Sequence, residues 1–266
     1  MMTKKTRKGL GEKSAIVLST LSEKNKNIFN VDDVAAILHE KRSSIIKLLH
    51  DLTKKRWLFR ISKGIYLILP LEAGAMPKFT EHEFILASRL ISPYYISYWS
   101  ALNYYGLTEQ VSKTIFIATL KRKLEKEIMG LKFRFITLNK NKFFGFKAMQ
   151  LNNHIIKIAE VEKAIIDCLD LPRNCGGIVE VIKAIDEAKK EIDFNKLIAY
   201  AKKMQNAAIL NRLGYILELL GIKANIKPSK HYVMLDTISK KKGIYNKKWK
   251  IVENVSREEL LSWREH

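Results

Sequence analysis

The chain has 266 residues, 47% of them hydrophobic and only five of them proline, which supports a packed core and excludes a disordered chain. Lys and Arg number 48 against 27 Asp and Glu, and this net charge of +21 favours a polyanionic partner such as DNA, RNA or an anionic membrane face. Cys168 and Cys175 form no CxxC pair, so zinc-ribbon and redox chemistry is unsupported, and no run of about eighteen apolar residues is available to span a membrane.

In chain order, the basic segment Met1 to Gly11 is followed by no secretory core, and a cytoplasmic protein with reduced thiols is expected. A first helix is expected from Lys13 to Ser22, with Ile16, Val17 and Leu21 apolar. Asn30 can cap a second helix, Val31 to Leu38, whose Asp32 and Asp33 suit its positive end. A polar turn, His39 to Arg42, leads to a third helix, Ser43 to Lys55. Strands Trp57–Ile61 and Ile65–Leu69 follow, joined by Ser62-Lys63-Gly64. Three helices and a hairpin are the order of a winged helix-turn-helix, expected over residues 1–72.

At 100° per residue, Ser43, Lys47, His50, Asp51 and Lys54 share one side of the third helix, with Ser44 at its edge. Ile45, Leu48, Leu49 and Leu52 share the other, and Ile46 lies between. A basic, hydroxylic face of this kind suits a DNA major groove, where Arg can donate twice to a guanine edge. Ser hydroxyls and the helix N-terminus suit phosphate. The candidate DNA-binding residues are Lys41, Arg42, Ser43, Ser44, Lys47, Lys54 and Lys55, with Arg60 and Lys63 on the hairpin. Arg42, Ser43, Ser44 and Lys47 are expected nearest the bases. Any solvated helix carries similar residues, and winged helices also serve as protein-interaction modules; the full ordering, basic at both contact points, favours nucleic acid.

A linker is expected over Pro70 to Pro77, PLEAGAMP, and a second domain over 78–266. Thr80 and Glu83 read as a capping box for a helix at 81–91. Further helices are expected at 98–105, 160–169, 177–190, 194–204 and 207–220. Gly106 and Gly221 stand at C-caps and Asp193 at an N-cap. Strands are expected at 114–119, 131–138, 143–150, 154–158, 231–236 and 248–252. The fold class is α+β: a winged helix-turn-helix followed by a mixed α/β domain.

The charge is unevenly spread. Residues 1–70 hold 15 basic and 6 acidic side chains, residues 71–220 hold 22 and 16, and residues 221–250 hold 9 and 1. A lysine-rich background composition would spread it evenly. The basic tail segment, 223–250, includes Lys240, Lys241 and Lys242; it reads as a solvated edge or as a second contact with DNA or RNA. Tyr232 and Trp249 within it are expected to anchor strands.

Tyr94, Tyr95, Tyr98, Trp99, Tyr104 and Tyr105 could stack bases, but at helical spacing they read better as core with polar tips. Asp167 and Asp170, three apart near a helix end, lack a third partner in sequence and read as structural. Cys168 reads as a small core residue. The six histidines are scattered, and no P-loop, G-x-G-x-x-G or Gly-Ser nucleotidyltransferase start occurs. No enzyme activity, cofactor or metal is expected.

The segments PYYISYWSALNYYGLTEQ (93–110), AEVEKAIIDCLDLPRNCGGIVEVIKAI (159–185) and NRLGYILELLG (211–221) occur in order across the chain. Together they resemble AbiEi-type antitoxins, the transcriptional regulators of type IV abortive-infection toxin–antitoxin systems, over about residues 12–240. The resemblance implies an autorepressor that binds operator DNA, inverted repeats upstream of its own operon, and a C-terminal domain with the antitoxin function. It also implies a nucleotidyltransferase-like toxin countered without a stable direct complex. An RNA-binding or protein-interaction module that shields the toxin's substrate is the alternative.

Overall fold

The computed structural model describes residues 9–69, 82–109, 112–239 and 242–265. The linker expected at Pro70–Pro77, the cap at Thr80, and Lys240 and Lys241 lie outside the described residues. Contacts divide the chain into two units, residues 1–90 with 127–130, and residues 91–126 with 131–266. The architecture is mixed α+β.

The first unit runs α1 (Glu12–Glu23), β1 (Ile28–Asn30), α2 (Val31–Leu38), α3 (Arg42–Lys54), β2 (Leu58–Ser62), β3 (Ile65–Ile68) and α4 (Glu83–Leu90). Asn30 caps α2 as expected: its side chain accepts from the N–H groups of Asp32 and Asp33 at 2.8 and 2.9 Å. The Asp33 carboxylate accepts in return from the Asn30 N–H at 2.8 Å, which completes a capping box. His39 ends α2 in the left-handed region at φ 52°. Ile45, Leu49 and Leu52 of α3 meet Val17, Leu18 and Leu21 of α1, Val31 and Val34 of α2, and Leu58 and Tyr66 of the hairpin in one buried cluster. The strands form an antiparallel sheet in the order β1-β3-β2. Strand β1 is an addition to the expected elements; Phe29 pairs with Tyr66 across β3 and their rings stack 6.0 Å apart. By contacts this unit extends past the expected limit at residue 72 to Leu90, because α4 packs on β2 and buries Phe84, Ile85, Leu86, Ala87 and Leu90.

The second unit contributes β4 (Tyr94–Ile96), α5 (Tyr98–Tyr104), β5 (Thr114–Thr119), β7 (Leu131–Thr137), β8 (Phe146–Leu151), β9 (His154–Ala159), α6 (Val161–Asp170), α7 (Ile178–Ala188), α8 (Phe194–Lys203) and α9 (Ala207–Leu219), while β6 (Lys126–Ile128) falls at the division, with Glu127 and Ile128 in the first unit. Then come β10 (Val233–Met234), β11 (Ile244–Asn246), β12 (Ile251–Glu253) and α10 (Arg257–Leu260). Strands β7, β5, β4, β9 and β8 lie side by side in that order, with β5 parallel to β7, β4 antiparallel to β5 and parallel to β9, and β9 antiparallel to β8. Strand β4 replaces what the sequence suggested was only an aromatic cluster. Three expected strands are shorter than anticipated. A single 3-10 turn at Lys140–Lys142 delays β8, the middle of 231–236 alone pairs, and Lys250, at φ 53°, breaks the backbone before β12.

Helix α6 is buried on nearly every side by α5, α7, α8 and α9, from Glu162 through Leu169. A helix so enclosed must either be apolar all round or supply partners for its charges.

Candidate nucleic-acid interface

Helices α2 and α3 are joined by Glu40 and Lys41 after the left-handed His39. The turn is closed from outside by Arg42, whose guanidinium pairs with Asp32 of α2, and by Lys13 of α1, which pairs with Glu40. These ion pairs are solvent-exposed and individually worth little, roughly 0–1 kcal/mol each; they tie the start of α3 to α2 and the turn to α1.

The amphipathic phase expected for α3 is the one observed. Ile45, Leu49 and Leu52 are buried and Leu48 is half-buried, while Arg42, Ser43, Ser44, Lys47, His50, Asp51 and Lys54 are exposed. Ile46, between the faces, is 48% exposed. At 13 residues the helix is about 20 Å long, and a B-DNA major groove is about 12 Å wide. Its N-cap Lys41 makes no side-chain cap, and the first turn holds no acidic residue, in contrast to the capped, acidic start of α2. The α3 N-terminus therefore presents N–H groups, two serine hydroxyls and a positive dipole end with no carboxylate of its own against them.

The other expected residues fall as follows. Lys41, Lys47, Lys54 and Lys63 are exposed and have no ion-pair partner among the described residues. Lys55 is half-buried, and its ammonium donates to the Gly9 carbonyl at 3.2 Å. Arg60 is exposed on β2, and its Nε donates to the Ser62 carbonyl at 3.4 Å beside a register shift between Arg60 and Ser62. Lys63 stands at the hairpin tip next to Gly64, whose φ of 75° lies in the region glycine tolerates best. Lys41, Arg42, Ser43 and Ser44 are consecutive at the turn and start of α3, with Lys47 one turn on, Lys54 and Lys55 lie at its far end, and Arg60 and Lys63 are on the hairpin. The Arg42–Asp32 pair escaped sequence reasoning, since ten residues across a turn carry no periodic signal. Arg42 keeps N–H groups beyond those that Asp32 uses, because a guanidinium has five.

The second unit holds a buried polar network. Lys163 and Asp167 of α6, both fully buried, form an ion pair one helical turn apart. Asp167 also accepts from the Ser97 hydroxyl at 2.7 Å and the Tyr95 hydroxyl at 3.1 Å, and Lys163 reaches the Tyr95 oxygen at 3.0 Å. Burial pushes the Asp167 carboxyl up from its ordinary range, while Lys163, Ser97 and Tyr95 pull it back. Burial likewise raises the Tyr95 phenol well above its usual value. At the end of α6, Asp170 accepts from Lys142 at 2.7 Å and from Asn206 at 2.6 Å. Arg212 of α9 donates to the Leu169 carbonyl at 2.7 Å, and Thr108 donates to Glu180 of α7 at 3.0 Å. The three sequence segments noted above thus bond to one another inside one core. Cys168 and Cys175 are buried free thiols. Among the described residues no group of three or more His, Cys, Asp or Glu could hold a metal ion, and no helix is long and apolar enough to cross a membrane.

No family model matches the chain, and no curated protein matches it. Among solved structures, the fold is similar to that of the RV2827C protein from Mycobacterium tuberculosis, with a TM-score of 0.68 and 13% sequence identity over 100% of this chain and 98% of that one. At that identity the likeness is one of fold alone, and it extends across both units.

Proposed function

We propose that the chain is a sequence-specific DNA-binding transcriptional regulator, an autorepressor of the AbiEi type that acts as the antitoxin of a type IV toxin–antitoxin system. Its first unit is a winged helix-turn-helix in which α3 enters the major groove and the β2–β3 hairpin is the wing. The observation that carries this reading is the outward face of α3: Arg42, Ser43, Ser44, Lys47 and Lys54 exposed around an N-terminus without an acidic first turn. Lys47 and Arg42 supply base-edge donors, and Ser43, Ser44 and the helix N–H groups supply phosphate contacts. Lys54, Lys55, Arg60 and Lys63 extend the positive surface along the backbone of the duplex. The antitoxin role and the nucleotidyltransferase-like toxin as functional partner rest on the resemblance carried by residues 93–110, 159–185 and 211–221, and the cytoplasmic location on the reduced thiols expected of Cys168 and Cys175. Those segments build the core of the second unit, so the resemblance reaches residues that determine its fold.

The test is a gel-shift titration with the duplex upstream of the chain's own operon. Lys47→Glu combined with Arg42→Ala is expected to weaken binding at least tenfold, from the loss of two contacts worth about 1–3 kcal/mol each, with an unchanged circular dichroism spectrum. Undiminished binding would remove α3 as the recognition helix.

A further inference from the structure

The segment 221–250 carries nine basic side chains and one acidic one. That single carboxylate is taken up internally: Asp236 is 5% exposed and accepts from the N–H groups of Thr237, Ser239 and Ile178 and from the Ser239 hydroxyl. The segment's lysines thus meet no acid of its own on the surface, and Lys248 alone among those described pairs outside it, with Glu218 of α9.

Helix α9 holds this segment in place. Buried Asn211 donates to the carbonyls of His231 and Lys250 at 3.1 and 3.2 Å and accepts from the Ser229 N–H at 2.7 Å. Arg212 donates to the Met234 carbonyl at 3.0 Å. The Trp249 ring lies directly on Gly214, and its indole N–H donates to Glu218 at 3.0 Å. Trp249 is thus the anchor the sequence suggested. Tyr232 is not one: it is 38% exposed, and Tyr245 on β11 is 64% exposed. Their rings meet edge to face at 5.0 Å, with the Lys250 ammonium 5.2 Å from the Tyr232 centroid. Exposed Lys230 and His231 precede Tyr232, and exposed Lys247 follows Tyr245 by two residues.

An open aromatic pair set among lysines suits either a protein partner or nucleobases. Protein interfaces are depleted in lysine at their centres, and this face is dominated by it. Duplex DNA hides its base faces in the stack, so an exposed ring stacks on them only where the duplex is opened or kinked. Unpaired bases gain about 1–3 kcal/mol per stacking contact while lysines track the phosphates. RNA loops and ends are where unpaired bases are presented, and exposed Lys230 and His231 beside Tyr232 carry donors of the kind that a 2′-hydroxyl, absent from DNA, accepts.

We infer that the Tyr232–Tyr245 face binds single-stranded RNA, with a base stacked on Tyr245 and the phosphates held by Lys230, Lys247 and Lys250. This site is independent of α3 and does not rest on the DNA reading.

The experiment is fluorescence anisotropy of the full chain with a labelled oligouridylate of about ten nucleotides, within the range one binding face covers. A matched single-stranded deoxy-oligomer and the upstream duplex serve as the other arms. The RNA is expected to bind several-fold tighter than the matched DNA strand. Tyr245→Ala is expected to weaken RNA binding about tenfold, and Lys247→Glu to weaken it and flatten its salt dependence. Both are surface changes, and Lys47→Glu in α3 is expected to leave RNA binding unchanged. RNA affinity untouched by Tyr245→Ala would overturn the stacking site, and equal affinity for the DNA strand would overturn the assignment to RNA. Loss of RNA binding with Lys47→Glu would move the activity to α3 and overturn the proposal.

Discussion

Gly214 and Trp249 show how one residue's size can decide a packing arrangement. A Cβ at position 214 would stand 2.0 Å from the indole, so the ring can lie on the α9 backbone only because glycine is there. Helix propensity alone would favour alanine by about 1 kcal/mol, but overpacking costs about 1–3 kcal/mol, and the steric conflict is severe. Gly214→Ala is therefore expected to lower the thermal midpoint and to shift the tryptophan fluorescence. An unchanged or raised midpoint would show that the ring relaxes freely. In the sequence this glycine is only a helix-breaking residue inside an apolar run. Its reason lies thirty-five residues away and carries no local signal. Lys163 is similar: the type is nearly always exposed, and only its one-turn spacing from Asp167 hints at a buried pair. Asp167 and Cys168, read from the sequence as structural, lie in that core as partner and packing atom.

At the scale of elements, the sequence is most informative where a cap or an amphipathic phase sets the boundary. Helix α2 begins where Asn30 and Asp33 exchange hydrogen bonds, and α3 divides into faces as its 100° periodicity requires. Asn30→Ala is expected to cost about 1 kcal/mol, measured as a reduced denaturant midpoint with an unchanged slope. A loss below a few tenths would mean that β1, and not the cap, starts the helix. Strands β1 and β4 were hidden for different reasons. The three residues of β1 are too few to show alternation. Those of β4, Tyr94, Tyr95 and Ile96, are all buried, so apolar character on both faces removes the period of two that marks a half-exposed strand. The hairpin read correctly because Gly64 lies between two β-rich runs, and its φ of 75° fits that placement. The candidate contact residues were recoverable to the extent that exposure follows helical phase. The ion pair holding Arg42 to Asp32 was not, because it depends on the turn geometry between two helices.

At the scale of the whole molecule, charge is the organising quantity. The chain carries +21, and residues 1–70 and 221–250, one stretch in each unit, are each more basic per residue than 71–220 taken as a whole. Because each unit can be assayed through its own surface residues, the proposed duplex DNA binding by α3 and the proposed RNA binding by the Tyr232–Tyr245 face can be tested separately. The likeness to the RV2827C protein at 13% identity shows that a similar fold is reached with a very different sequence, so the contact residues must be tested in this chain itself. The most direct measurement is the salt dependence of binding to the upstream duplex, for the natural chain and for Lys54→Ala with Lys63→Ala. Each phosphate contact contributes about 0.9 to the slope of log affinity against log salt. The two substitutions together are predicted to flatten that slope by up to about two and to weaken binding at low salt. An unchanged slope and affinity would contradict the assignment of α3 and the hairpin as the DNA-binding surface.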